Sequence, residues 1–248
     1  MASRRTYKTE AVVLRSMRYS EADRILHLYT KERGRIGAIA KGVRKTKSRF
    51  GARLEPLSHV EVMLHEGSGD LHTVTGAELI GSHHAAREHT YRLSAGLIGT
   101  EAMLRLYGEP EPNARAFTAL TRFLDVLDDT EAAPGGQPEL DPLVLSFQLK
   151  LLWLSGYLPH VNACVECGTT GGLVGFSARA GGAVCATHSR GSFPVGAEGF
   201  SGIDQLLSIP LADAAPAGLS EQSRSEALRV ITASYEEHGG FRLRTLSA

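Results

Sequence analysis

Apolar and polar positions alternate through the first third of the chain. His59 to Leu64 is the clearest case, with Val60, Val62 and Leu64 on one face and His59, Glu61 and Met63 on the other, so His59 is expected to face solvent. Ala11 to Leu14 is a short apolar run. Ile25 to Tyr29 follows the polar stretch Tyr19 to Asp23, and Gly34 marks a turn into Ile36 to Ala40. Gly67, Ser68, Gly69 and Asp70 turn the chain into a fifth run, Leu71 to Ala77. Short strands separated by turn residues predict a small barrel or sandwich over residues 8–80.

After Gly81 the period changes to that of a helix. Residues 85–107 carry Leu93, Leu97, Met103 and Tyr107 at helical spacing, and Pro110 and Pro112 close the segment. A second helix is expected from Asn113 to Leu127. Residues 125–142 hold six acidic and no basic residues around a Pro- and Gly-rich stretch, and read as a solvent-exposed connection. Leu143 to Leu158 is strongly apolar but interrupted by Gln148 and Lys150 and bounded by Pro142 and Pro159, so it reads as a buried core helix rather than a membrane span, with Trp153 in the core. Residues 160–195, rich in Gly and Cys, form a small module of their own. The last helix is expected to start at a capping box, Ser223 to Glu226, and to stop at Gly239 and Gly240.

Five strands in the first 80 of 248 residues are the size of an OB-fold barrel. The fold class expected is therefore α+β and multi-domain. A five-stranded OB-fold barrel (1–80) precedes an α-helical domain (81–248) carrying the inserted Gly- and Cys-rich module at about 160–195.

Charge sharpens this picture. The chain carries 27 basic and 27 acidic residues, yet residues 1–60 hold 15 basic against 5 acidic, and the other 188 residues hold 12 against 22. A basic first quarter on a neutral protein points to a polyanion, foremost nucleic acid; the plain alternative is a solvated basic face without a partner. The excess is densest in residues 41–53, where six of thirteen residues are basic and none is acidic: Lys41, Arg44, Lys45, Lys47, Arg49 and Arg53. Such cations neutralise phosphates and release counterions. Little in the segment could read base edges, so binding without sequence preference is expected. Phe50 either stacks on a base or anchors the loop to the barrel. Arg35, on the preceding strand, completes the candidate DNA-binding set.

All three cysteines fall in 22 residues. Cys164 and Cys167 form a C-x2-C knuckle, and Cys185 and His188 a C-x2-H knuckle 17 residues later. Two knuckles converging on one ion make a Cys3His set that suits tetrahedral structural zinc, one per chain, with no open position for catalysis. The rival readings are a redox Cys164–Cys167 pair or buried thiols; His160 is the rival fourth ligand, and the paired knuckles favour His188. His59 and Glu61 form an H-x-E like that of nucleobase deaminases, but Ala163, not proline, precedes Cys164, against that reading. No P-loop and no nucleophile elbow is present. His83, His84 and His89 read as surface or helix-start residues. No secretory segment follows Arg4 and Arg5, and the odd, clustered cysteines argue for a reducing, cytoplasmic protein.

With these residues in view the chain resembles the bacterial DNA repair and recombination-mediator family RecO. Glu10 to Leu14, Tyr19 to Asp23, Thr30, Gly34, Ala40 to Gly42, Arg44 and Lys45, Ser48 and Arg49, and Leu54 to Pro56 follow one another in the order typical of that family's N-terminal domain. Phe147 to Leu152, Gly156 to Pro159 and Cys164 are similar to its central helix leading into a zinc module, and Tyr235, His238 and Arg242 to Arg244 to its C-termini.

The resemblance implies a non-enzymatic protein that binds single- and double-stranded DNA, anneals complementary strands without ATP and helps load RecA onto strands coated by the single-strand binding protein SSB. It implies RecR and the SSB tail as partners and DNA contacts at Lys41, Arg44, Lys45, Lys47 and Arg49. His188 departs from the pattern, since many members carry Cys there. Two other classes remain open: a zinc-ribbon transcription or translation factor, which the N-terminal motif series opposes, and an enzyme on nucleic acid, for which neither an open metal site nor a carboxylate pair is visible.

Overall fold

The computed structural model describes residues 6–67, 69–129 and 136–246. Arg4, Arg5, Ser68 and the middle of the expected acidic connection (130–135) lie outside the described residues. The chain divides into two compact units, residues 1–132 and 133–248.

The first unit is built on five strands: β1 (Thr6–Arg18), β2 (Arg24–Thr30), β3 (Gly34–Ala40), β4 (His59–His65) and β5 (Leu71–Gly81). They close into a barrel in the order β1-β2-β3-β5-β4, with β4 returning to β1 and a parallel β3–β5 pairing at the closure, the OB arrangement. The alternation read in β4 points as expected: Val60, Val62 and Leu64 are buried in the barrel core with Val13, Leu26, Leu28 and Val74. β1 is longer than its apolar run because a bulge between Val13 and Arg15 lets it bend and pair with two neighbours.

His59 departs from expectation. Its side chain is largely buried, 3.5 Å from Glu10 Oε2 and edge-on to Phe117, because a helix covers that strand face.

Three helices follow in the same unit: α1 (His84–Glu88), α2 (Thr90–Leu106) and α3 (Ala114–Asp129). The single helix expected over 85–107 is broken at His89, whose backbone is extended. The inner face of α2 is not the Leu93–Leu97 stripe; Leu97 is exposed, and Ala95, Ile98, Gly99, Ala102 and Met103 are buried. Small residues there allow close packing that hydrophobicity alone does not reveal. α3 runs on to Asp129, so the acidic stretch begins inside a helix. Asp125 and Asp128 are used: Asp125 Oδ1 lies 2.9 Å from His83 Nε2, and Asp128 Oδ1 accepts from the Ala86 N–H at 2.7 Å. His83 is therefore a buried helix-start residue rather than a surface one.

The second unit centres on α4 (Pro142–Leu154), which is buried nearly all round. Asp141 caps it, accepting from Leu143 N–H at 2.8 Å, and Pro142 supplies the helix-ready first residue. Lys150 is tolerated because its Nζ donates to the Leu206 and Leu207 carbonyls, at 2.7 and 3.1 Å, at the end of α5 (Ala197–Ser208). Trp153, expected in the core, is 53% exposed: it falls in the last turn of α4, on the side the neighbouring helices leave open.

The final helix, α6 (Glu221–Ser234), starts earlier than expected. Ser220 caps it, accepting from Ser223 N–H at 3.2 Å. Ser223 and Glu226 face α5 instead, where a Cβ on Gly199 or Gly202 would collide with them. That glycine face lowers the helix propensity of α5, although Phe200, Ile203 and Leu206 are buried at helical spacing along it. Among the described residues no helix is long and apolar enough to cross a membrane.

Candidate nucleic-acid interface and metal centre

The basic segment leaves β3 at Ala40 and returns at β4, with one 3-10 turn over Gly51–Leu54. It is a shaped loop. Gly42 takes a left-handed φ of 67°, its N–H donates to Asp23 Oδ1 at 2.7 Å, and the Arg44 N–H donates to the Ala22 carbonyl at 3.0 Å. Arg44 Nη1 also donates to the Glu21 carbonyl at 2.9 Å. The β1–β2 turn and the basic loop therefore form one joined surface.

Phe50 resolves the choice left open by sequence. It is buried in the barrel core beside Leu54, so it anchors the loop and cannot stack on a base. Tyr19, in the turn that the loop docks on, is 62% exposed. Sequence reading missed it; the available signal was an aromatic residue opening a polar turn.

The structure separates the loop cations from most of the other N-terminal ones, although Arg15 and Arg18 on β1 are also exposed with no carboxylate within salt-bridge distance among the described residues. Lys8, Arg24, Lys31 and Arg33 each lie within 4.0 Å of a carboxylate: Glu61, Glu55, Glu10 and Glu66. Arg35 joins them, with Nε 3.3 Å from Glu109 and Nη1 donating to the Leu104 carbonyl. The structure thus places Arg35 apart from the loop cations, tied to the end of α2. Lys41, Arg44, Lys45, Lys47, Arg49 and Arg53 are all exposed, and among the described residues none has a carboxylate within salt-bridge distance. Six uncompensated cations on one loop leave a positive potential that a polyanion can neutralise.

The cysteine module lies in the second unit, on a small sheet ordered β7-β6-β8: β6 (Leu173–Ser177), β7 (Gly182–Cys185) and β8 (Phe193–Pro194). The first knuckle turns tightly, with the Gly168 N–H donating to the Cys164 carbonyl at 2.8 Å, and it docks on β7 through Val165 N–H to the Ala183 carbonyl at 3.0 Å. The second knuckle is the end of β7 and the 3-10 turn Ala186–His188.

Cys164, Cys167, Cys185 and His188 converge, with their ligand atoms all within 4.8 Å of one another, and could hold a metal ion. Cys167 Sγ to Cys185 Sγ is 3.9 Å, Cys164 Sγ to His188 Nδ1 3.7 Å, and Cys185 Sγ to His188 Nδ1 3.3 Å. A tetrahedron with bonds of about 2.3 Å to sulfur and about 2.0 Å to nitrogen has edges of about 3.8 and 3.5 Å, so the residues present fit such a centre. His160 is not in the cluster; its backbone bridges to Gly182 instead.

The electrostatics agree with that geometry. Burial pushes the Cys164 thiol up, but N–H groups of Cys185, Cys167 and Glu166 aimed at the sulfur prevail and bring it down to about 6. The His188 hydrogen bond lowers Cys185, and the Cys185 and Cys164 sulfurs raise His188 in return. Cys167 moves the other way: the Thr169 N–H lowers it, but burial and the neighbouring Cys164 and Cys185 sulfurs prevail and raise it. The thiolate, the ligand form, is thus favoured at Cys164 and Cys185.

Comparison with known proteins spans both units. A family model described as Recombination protein O N terminal matches residues 1–83, and one described as Recombination protein O C terminal matches residues 87–247. The chain belongs to the RecO family. A DNA repair protein RecO of Rubrobacter xylanophilus is 41% identical over 229 residues, covering 90% of this chain and 88% of that protein. One from Anaeromyxobacter sp. strain K is 32% identical over 242 residues, covering 95% and 92%. One from Nocardioides sp. is 40% identical over 186 residues, 73% of each. The boundary between the two family models, residues 84–86, falls within α1, whereas α1 to α3 pack into the same compact unit as the barrel.

Proposed function

We propose that this RecO-family chain binds single- and double-stranded DNA without sequence preference, anneals complementary strands without ATP, and with RecR assists RecA loading on SSB-coated DNA. The observation that carries this reading is the set of six unpaired cations on a loop anchored to an OB barrel. Two phosphate backbones repel until cations neutralise them, and a loop of Lys and Arg held on a rigid barrel supplies that neutralisation. Lys41, Arg44, Lys45, Lys47, Arg49 and Arg53 contact phosphates, and Tyr19 offers a ring on which a base can stack. Arg35, engaged by Glu109 and Leu104, contributes less.

The metal is structural zinc, one per chain, held by Cys164, Cys167, Cys185 and His188. It would supply a rigid cross-link between the two knuckles. The module has only a small core, Val161, Phe176, Ala183, Val184 and Val195, and metal binding then contributes folding free energy, on the order of 10 kcal/mol in small zinc modules. The chain performs no covalent chemistry in this reading. RecR and the SSB tail are its partners, RecA is reached indirectly, and its setting is the cytoplasm at the nucleoid.

The test is annealing of complementary SSB-coated oligonucleotides without ATP, with and without RecR. Faster annealing with the protein present is expected; an unchanged rate sinks the proposal.

A further inference from the structure

The basic loop does not end on open surface. Its distal part, Ser48–Arg53, borders a cleft of about 530 Å³ whose other wall is the end of β5 and the start of α1. Arg49, Arg53, Arg87, His84, Phe50 and Leu79 line it, and none of its described lining residues is acidic.

Its three arginines are each held in place. The Arg49 guanidinium lies 4.8 Å from the centre of the Phe50 ring. Arg53 Nη1 donates to the Arg49 carbonyl at 2.9 Å, and Arg87 Nη1 to Ser58 Oγ at 3.2 Å and to the Ser82 carbonyl. Among the described residues no carboxylate lies within salt-bridge distance of any of the three guanidinium groups. His84 differs, since Glu88 Oε1 is 3.2 Å from its Nε2, and it is not counted as a ligand. Leu79, 45% exposed at the end of β5, gives the cleft an apolar side. Pre-placed cations lining one cleft beside apolar surface suit an anion, because little ordering is left to oppose binding.

We infer that this cleft takes one nucleotide unit of single-stranded DNA, its phosphate bonded by Arg49, Arg53 and Arg87 and its base laid against Leu79. The inference rests on the loop being a DNA-binding surface, and extends it to Leu79 and Arg87 beyond the loop. A base enters such a cleft only when unstacked, so a duplex engages it poorly.

Full-length protein with p-benzoylphenylalanine at Leu79, or at Leu97 on α2 as a control, would be irradiated with labelled oligodeoxythymidine or with duplex DNA. Crosslinking at 79 several-fold above 97, suppressed by unlabelled single strand and weaker with duplex, is expected. No excess over 97, or equal crosslinking with duplex, overturns the inference. As a second measurement, Arg87→Gln should make the single-strand salt slope shallower by about 0.7, the value for one phosphate contact, and an unchanged slope counts against the arginine's role. Lys45→Glu with Lys47→Glu, outside the cleft, separates the two readings. If that variant loses DNA binding while residue 79 of the otherwise wild-type protein fails to crosslink, the loop stands and the cleft falls. If binding persists and 79 crosslinks, the cleft stands and Lys45 and Lys47 leave the interface.

Discussion

Asp23 accepts a 2.7 Å hydrogen bond from the backbone N–H of Gly42, joining the turn after β1 to the first residues of the basic loop. A carboxylate bonded to a backbone N–H at a left-handed glycine fixes the direction in which the loop leaves the barrel. Asp23→Ala should therefore loosen the loop without disturbing the barrel core. We expect single-strand affinity to fall about threefold and stability by about 1 kcal/mol, the worth of one hydrogen bond to a charged group in a half-exposed setting. Anisotropy titration and thermal melting check the two halves; unchanged affinity would show that the loop needs no tether.

Lys45→Glu with Arg49→Glu should weaken single-strand binding strongly. It should also make the dependence of log affinity on log salt shallower by about 1.4, because two phosphates are no longer neutralised. Both side chains are exposed, so thermal stability should hold. Titrations at two salt concentrations decide; the same slope in variant and wild type removes these residues from the interface.

Tyr19 and Phe50 should give opposite results. Tyr19→Ala is expected to cost about 1–3 kcal/mol in single-strand binding if a base stacks there, with little change in stability. Phe50→Ala empties a core site and should cost about 3–5 kcal/mol in stability. A Tyr19→Ala protein that binds oligonucleotides like wild type would rule out stacking at that ring.

Elemental analysis of protein purified without chelator should find one zinc per chain. Cys167→Ser should reduce it sharply. His188→Cys should keep it, since zinc accepts either donor at that corner, and His160→Ala should keep it because that side chain is not in the cluster. Loss of metal in His160→Ala with retention in His188→Ala would reverse the assignment.

Acid should weaken the barrel. His27, His59 and His72 are each held below the usual imidazole pKa, foremost because burial desolvates the charged form. The unfolded chain takes up protons near pH 6.5 that the barrel resists. The stability these groups provide is thus complete above about pH 6.5 and is lost as pH falls toward their depressed folded values. Melting temperature should drop between pH 7.5 and 5.5, and His27→Gln should make that drop smaller. An equal drop in the variant assigns the effect to other groups.

What the sequence determined was local or periodic. Alternation in β4 gave the inward set Val60, Val62 and Leu64 because side chains on a strand point to opposite faces in turn. The two knuckles were legible because two residues between ligands is already the geometry of convergence on one ion. Clustering of cations in 41–53 needed only counting.

Tertiary structure decided everything that depends on distant neighbours. Arg35 looks like the loop cations in sequence, but Glu109 and the Leu104 carbonyl reach it from the end of α2. Phe50 went inside and Trp153 outside for the same reason: hydrophobicity says that a ring gains from burial, not whether the fold has a cavity beside it. In α5, Gly199 and Gly202 answer to Ser223 and Glu226 on another helix rather than to their own helix propensity. The basic loop was readable as a charge; that its cations stand unpaired, anchored at Asp23 and ending in a cleft beside Arg87, follows only from which segments the closed barrel brings together.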